Sequence, residues 1–170
     1  MKGFIVIAVI LSCFLVPVPV AYSHDDVTQF PACKYCGMNR ETFAHSRVFT
    51  VYADGKPEGT CSLHCAAVDM ALNIDRDPVQ IMVGDYNSKT LVDAEKAFWV
   101  LGGSKPGVMT KRGKWAFTTK ESAEAFIAQN GGVLANFDTV IKAAFEDMYQ
   151  DTKMIRERRA QKRKALDQKK

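Results

Sequence analysis

VFTVYADGKPEGTCSLHCAAVDMALN, residues 48–73, sets out the building block of this chain. Val48 to Ala53 is rich in β-branched and aromatic residues and predicts a strand, with Asp54-Gly55 as the turn after it. Glu58 to Thr60 returns as a short second strand. Ser62 to Asn73 is rich in Ala and Leu and predicts a helix, with Ser62 at the N-cap position. Asp77-Pro78 closes the unit. Strand, strand, helix is the expected motif.

The motif recurs downstream. Val79 to Gly84 predicts a strand, Asn87-Ser88 a turn and Thr90 to Val92 a short strand. Ala94 to Leu101 then reads as a helix capped by Asp93 and stopped by Gly102-Gly103. A third pass places a strand at Gly107 to Thr110, a turn at Lys111 to Lys114, a strand at Trp115 to Thr118, and a helix from Lys120 to Asn130 before Gly131-Gly132. Asn136 to Lys170 closes the chain as one long helix, with Phe137, Ile141, Phe145 and Met148 at helical spacing toward the core. The predicted fold class is α+β, built of repeated ββα units in which helices cover antiparallel hairpins, with a long C-terminal helix.

Toward the N-terminus the composition changes. Lys2 gives a positive start, Phe4 to Val20 is almost wholly apolar, and Ala21-Tyr22-Ser23 offers small residues where a signal peptidase reads. Residues 1–23 therefore read as an export signal. Pro17 and Pro19 interrupt the run and weigh against a transmembrane anchor. Ile10-Leu11-Ser12-Cys13 also resembles a lipobox, which would put a lipid on Cys13, but would leave the apolar Phe14 to Val20 on the mature chain. Either route takes the protein out of the cytoplasm, with the periplasm as the expected location. His24 to Ala32 reads as a flexible lead-in, and the globular part as running from about Pro31 to about Tyr149. With 170 residues and 47% hydrophobic composition, one core can form without disulfide staples.

Charge divides the mature chain in two. Lys153 to Lys170 carries nine Lys or Arg against Glu157 and Asp167, a net +7. The whole chain is +4, which leaves residues 24–152 at −4 once Lys2 is counted. The expected organisation is a metal-binding domain over 24–152 and a basic helical tail over 153–170. The tail is either a solvated helix end or a handle for anionic lipid headgroups or an acidic protein face. An exported chain excludes nucleic acid as a partner.

The chemistry is concentrated in two short segments. Cys33, Cys36 and Met38 lie in CKYCGM, and Cys61, His64 and Cys65 in CSLHC. Thiolate, thioether and imidazole together suit a thiophilic metal, above all Cu(I), which is content with two or three ligands. Gly37 permits a tight turn that swings Met38 sulfur toward Cys36. Cys61 and Cys65 share a face if the helix starts early, and a thiol at a helix N-terminus ionises more readily. Four cysteines remain after cleavage at Ser23, so two disulfides are an alternative, and Cys65 could also be plain core. His45 reads as an ordinary surface or turn histidine. No paired-carboxylate, Ser-His-Asp or phosphate-loop arrangement is evident, and the chain reads as a binding protein rather than an enzyme.

The cysteine motif, followed by Asp54-Gly55, Cys65, Asp85-Tyr86, Val92-Asp93-Ala94, Trp115-Ala116-Phe117, Ala125-Phe126 and Gly131-Gly132, resembles the NosL family over about residues 31–148. That resemblance implies a copper-binding accessory protein for assembly of the copper-sulfide centre of nitrous oxide reductase, in denitrification, on a ββα fold. It carries copper ligation onto Cys36 and Met38. A later methionine ligand is also expected, in a Pro-Met-Gly-like stretch that here reads Pro106-Gly107-Val108-Met109. The family's lipid anchor would correspond to Cys13. Cys61 and His64 enlarge the metal set beyond the family's minimal pattern, and Cys33 and Cys65 stand beside them as candidate ligands. Two further readings stand beside a Cu(I) chaperone. One is a structural zinc module on Cys33, Cys36, Cys61 and Cys65, whose spacing is close to that of zinc ribbons and treble clefs. The other is a thiol–disulfide oxidoreductase on Cys33 and Cys36, although no strand run precedes that pair.

Overall fold

The structure, a computed structural model, describes residues 25–168. The export segment 1–23 with Cys13, and His24, lie outside the described residues. The elements are α1 (Asp25–Gln29), β1 (Val48–Tyr52), β2 (Pro57–Thr60), α2 (Leu63–Leu72), β3 (Pro78–Gly84), β4 (Leu91–Asp93), β5 (Phe98–Leu101), β6 (Lys114–Phe117), α3 (Lys120–Asn130), β7 (Val133–Ala135), α4 (Phe137–Glu146) and α5 (Met148–Asp167). They form two antiparallel sheets, in the orders β2-β1-β3-β4 and β6-β5-β7. The class is α+β with a long C-terminal helix, as the sequence predicts.

The first pass folds as read, and the third does so from β6 onward. In the first, Val48 pairs with Thr60 and Val51 with Pro57 across the Asp54-Gly55 turn, and α2 follows directly. In the third, α3 begins and ends at the predicted residues. Its N-cap Thr119 accepts a hydrogen bond from the Ser122 amide, and it stops where Gly131 and Gly132 take positive φ.

The middle pass departs from expectation. Ala94 to Leu101 is not a helix. Asp93 Oδ1 accepts from the Glu95 amide in a short turn, and Phe98 to Leu101 then runs as β5. The sequence FWVL favours extended backbone, and its position makes it the central strand of the small sheet. Trp99 pairs with Ala116 on one side and Ala135 on the other, with its ring fully buried and its Nε1 donating to Ala94 O at 2.8 Å. Gly107 to Thr110 is likewise not a strand but an irregular loop, in which Met109 takes φ 61°. Strand β7 follows the paired glycines unpredicted.

The C-terminal helix is two helices meeting at Asp147. Phe137, Val140, Ala143 and Ala144 form the buried face of α4, while Phe145 from the predicted stripe is 44% exposed. Ile141 and Met148 of that stripe pack partly buried against the core as expected, and Val140, Ala143 and Ala144 widen the face that Phe137 begins. Phe137, Val140 and Ala144 join Leu63, Ala66 and Ala67 of α2 and Trp99 in the larger core. A second core gathers Cys33, Cys61 and Cys65 with Val100, Trp115, Phe117 and Phe126. Asp85 links the two sheets: its Oδ2 accepts from the Thr118 amide and hydroxyl, and its Oδ1 from Asn87 and Ser88.

The lead-in is ordered, not flexible. Asp26 in α1 is 2% exposed and meets two buried arginines. Arg40 Nη2 lies 2.7 Å and Arg47 Nε 2.9 Å from Asp26 Oδ2. Arg40 also donates to Asp26 O, Phe30 O, Val48 O and Thr60 O, and Arg47 to Ala44 O and Lys89 O. These bonds tie residues 26–47 onto β1 and β2. Gly84 lets the same segment cross β3 closely, since a Cβ there would sit 2.0 Å from Ala44 O. Replacing Asp26 leaves two buried guanidinium groups without their counter-charge, which costs about 3–5 kcal/mol. Asp26→Ala should therefore lower the urea midpoint sharply, and an unchanged midpoint would show that the triad does not hold this segment.

Candidate metal centre

Residues 33–38 form a tight turn. Cys33 N–H donates to Met38 O at 2.8 Å and Gly37 N–H to Cys33 O at 2.9 Å. Gly37 takes φ 73°, which a side chain would strain. Between the cysteines, Tyr35 donates its hydroxyl to Asp69 on α2, which also accepts from Tyr52. Asp69 is 1% exposed, so the turn is fastened to the helix through a buried acceptor. Burial, and then the neighbouring Asp69 carboxylate, push both phenols well above their usual range, so both remain donors at neutral pH.

The second segment enters from β2. Cys61 precedes Ser62, the N-cap residue of α2, and Cys65 lies in its first turn. The four sulfurs of Cys33, Cys36, Cys61 and Cys65 all lie within 4.8 Å of one another. Cys36 to Cys61 measures 3.4 Å and Cys61 to Cys65 3.8 Å. All four are free thiols, so two disulfides are not the arrangement adopted. Cys33, Cys61 and Cys65 are buried and Cys36 is half-buried.

Four thiols this close cannot all ionise without a cation between them. The first negative charge falls on the turn. Hydrogen bonds from Cys36, Cys61 and Cys65 hold the Cys33 thiol far below its usual pKa despite burial, with the Cys36 backbone N–H adding to them. Cys33 works against ionisation of Cys36, but Cys61, Cys65 and the Met38 N–H outweigh it, and the Cys36 pKa is lowered as well. Cys61 and Cys65 are pushed up, by Cys33 and Cys36 first and by burial after.

Cys36 also opens onto a groove of about 520 Å3. Cys36, Met38 and Phe43 line one side, the loop from Lys105 to Met109 another, and Met154, Ile155, Arg158 and Arg159 of α5 close it. The structure thus brings Met109 to the same groove as Cys36 and Met38. The loop carrying Met109 is fixed by α5 and its junction with α4. Arg112 Nε and Lys114 Nζ lie 2.9 and 2.8 Å from Asp147 Oδ2, and the Lys111 amide donates to Asp151 Oδ1 at 3.0 Å.

His64 is not in the four-cysteine group. Its Nδ1 lies 3.4 Å from Asp151 Oδ2, too poorly aligned for a hydrogen bond, and burial keeps the imidazole neutral by lowering its pKa. His45, which the sequence gives no reason to single out, sits in the groove wall with its ring 5.7 Å from that of Trp115. Burial, with Lys89 and Lys105 nearby, also keeps it neutral. Met154 was missed for a different reason. It is an isolated sulfur in a charged run, and only its 6% exposure distinguishes it from the basic tail around it.

A sequence model of the NosL family matches residues 24–145. The chain belongs to the NosL family. The structure resembles the crystal structure of the copper chaperone NosL from Shewanella denitrificans, at 26% identity and a TM-score of 0.50. That similarity covers 63% of this chain and 87% of the other. No curated protein matches the sequence. Cys36 and Met38 share one turn and line one groove. The cysteine cluster itself has the composition and closeness of a thiophilic metal site.

The Met109 loop depends on a carboxylate. Burial raises the Asp147 pKa, but hydrogen bonds and charge from Arg112 and Lys114 overcome this and hold it below the usual carboxylate value. A lowered folded-state pKa means that the contact is intact above the ordinary carboxylate range and is lost as pH falls through the lowered value. Asp147→Asn should therefore raise amide exchange across residues 105–113 at neutral pH, and the parent should match it only in acid. Equal protection at neutral pH would rule the clamp out.

Proposed function

We propose that the protein is an exported Cu(I) chaperone that holds one cuprous ion in the groove through Cys36 and Met38, with Met109 as a third ligand. One observation carries this reading: of the four clustered thiols, the half-exposed Cys36 opens onto a surface groove lined by Met38, Met109 and Met154, three methionines from separate parts of the chain. Soft sulfur ligands at an accessible edge suit Cu(I), and low coordination lets an acceptor's thiolate or thioether enter before a donor ligand leaves. Transfer is then ligand exchange, and no bond in an organic substrate is made or broken, so the protein is read as a non-enzyme. Family membership and the likeness to a copper chaperone support the choice of copper. The recipient proposed is the machinery that assembles the copper-sulfide centre of nitrous oxide reductase, which rests on the family resemblance.

Anaerobic titration of the reduced protein with Cu(I) against a competing chelator tests the site. In Cys36→Ser combined with Met38→Ala, affinity should fall by more than the roughly 10–100-fold typical of losing an outer-shell partner. Unchanged affinity would remove these residues from the site.

The same reading places the protein in the periplasm. Residues 1–23 have the charge, apolar run and small residues of an export signal. No helix among the described residues is long and apolar enough to cross a membrane. Membrane attachment would come from lipid on Cys13 or from the basic tail of α5 against anionic headgroups. Intact mass of the protein recovered from its own cells should correspond to a chain beginning at His24. A diacylglyceryl adduct on a chain beginning at Cys13 would instead establish the anchored form, and an uncut chain in the cytoplasm would defeat export.

A further inference from the structure

Three features of the cysteine cluster are unnecessary for a two- or three-ligand copper site, and together they describe a different one. The first is the turn at 33–38. Its backbone folds back on itself, with the Cys33 N–H donating to Met38 O at 2.8 Å and the Gly37 N–H to Cys33 O at 2.9 Å. The left-handed Gly37 makes that reversal, which sets Cys33 and Cys36 together with Cys61 and Cys65. The second feature is the order of elements. A cysteine turn is followed by the β1–β2 hairpin, then by Cys61 at the mouth of α2 and Cys65 in its first turn, where the helix dipole favours negative charge. This is the topology of a treble-clef zinc finger. The third is closure. Four sulfurs lie within 4.8 Å of one another, and the two measured separations are 3.4 and 3.8 Å. A tetrahedron of sulfurs at the zinc–thiolate distance of about 2.3 Å has edges of about 3.8 Å.

We infer that Cys33, Cys36, Cys61 and Cys65 form a closed tetrathiolate site for a resident thiophilic divalent ion of the zinc(II) class, distinct from the groove in which cargo is carried. Zn(II) takes four ligands in its structural sites, whereas Cu(I) is satisfied with fewer and would leave buried thiols idle. Binding replaces the thiol protons with the metal and releases them to solvent, with no change of oxidation state. The resulting complex carries a net double negative charge, and the buried Arg40 guanidinium beside Cys33 offsets part of it. The site goes beyond the copper reading and does not depend on it. Where both hold, the zinc fixes Cys36, and the outward face of that thiolate remains available to an ion in the groove beside Met38 and Met109.

The protein isolated under reductant from zinc-replete cells should contain one zinc per chain after gel filtration. X-ray absorption at the zinc edge should show four sulfur neighbours at about 2.3 Å. Adding Cu(I) should load copper while the zinc stays. Cys33→Ser and Cys61→Ser should lose the zinc, whereas Met109→Ala keeps it. If the serine variants do not fold, the absorption spectrum of the unaltered protein still decides the ligand set. Expulsion of one zinc per copper bound overturns the inference, because the cysteines would then be the cargo site and the copper reading would survive. So does a protein that contains no zinc and takes none up with its thiols reduced. Zinc retained in a protein that binds no Cu(I) would instead uphold this site and defeat the copper reading.

Discussion

Asp26 lies between Arg40 and Arg47, with all three side chains withdrawn from water. A guanidinium group keeps its charge in any protein interior, so each arginine must be surrounded by acceptors or expelled. Arg40 makes five hydrogen bonds to four carbonyls and one carboxylate oxygen, which matches its five N–H donors. Those acceptors come from α1, the residue before Pro31, and strands β1 and β2. The charge therefore acts as a nail through the segment that carries Cys33, Cys36 and Met38. Without it, the cysteine turn would rest on the packing of Cys33, Tyr35, Met38 and Phe43 against the second core alone, with two charged groups left buried beneath it.

Given that nail, the remaining polar contacts act at the edges of the centre. Asp69 receives Tyr35 from the turn and Tyr52 from β1, fixing the turn against α2. Asp147 and Asp151 at the start of α5 hold the loop that bears Met109. The two clamps belong to different parts of the chain, and the groove is the space left between them. One wall follows the first hairpin and its helix, and the other follows the C-terminal helices. Cys36 is common to the buried cluster and to the groove, so any ion at one influences the electron density that its sulfur offers to the other.

Much of the fold was legible in residues 48–73 and 115–132, because hairpin turns and helix stops there are carried by local chemistry: Asp54-Gly55 and the paired Gly131-Gly132. The failures share one cause. Phe98 to Leu101 became the centre of a sheet whose partners lie at 114–117 and 133–135, and strand pairing at that separation leaves no periodic trace in a four-residue run. Phe145 was expected inside on helical spacing, but α4 packs through the neighbouring Val140 and Ala144 against α2. His24 to Ala32 looked like a polar leader because the partners of Asp26 are 14 and 21 residues away.

By itself the sequence determined which atoms the centre is made of. Soft sulfurs at C-x-x-C-G-M and C-x3-C select thiophilic ions whatever the fold, since ligand softness is a property of the atoms. It also determined the first hairpin and the helix after it, because turn and cap preferences act within a few residues. Only the tertiary structure decided which sulfurs meet. It put Cys33, Cys36, Cys61 and Cys65 within one ion's reach, turned His64 toward Asp151, and brought His45 and Met154 to the groove. Those outcomes depend on distances between segments far apart in the chain, and burial of the Asp26 triad and the two cores sets them.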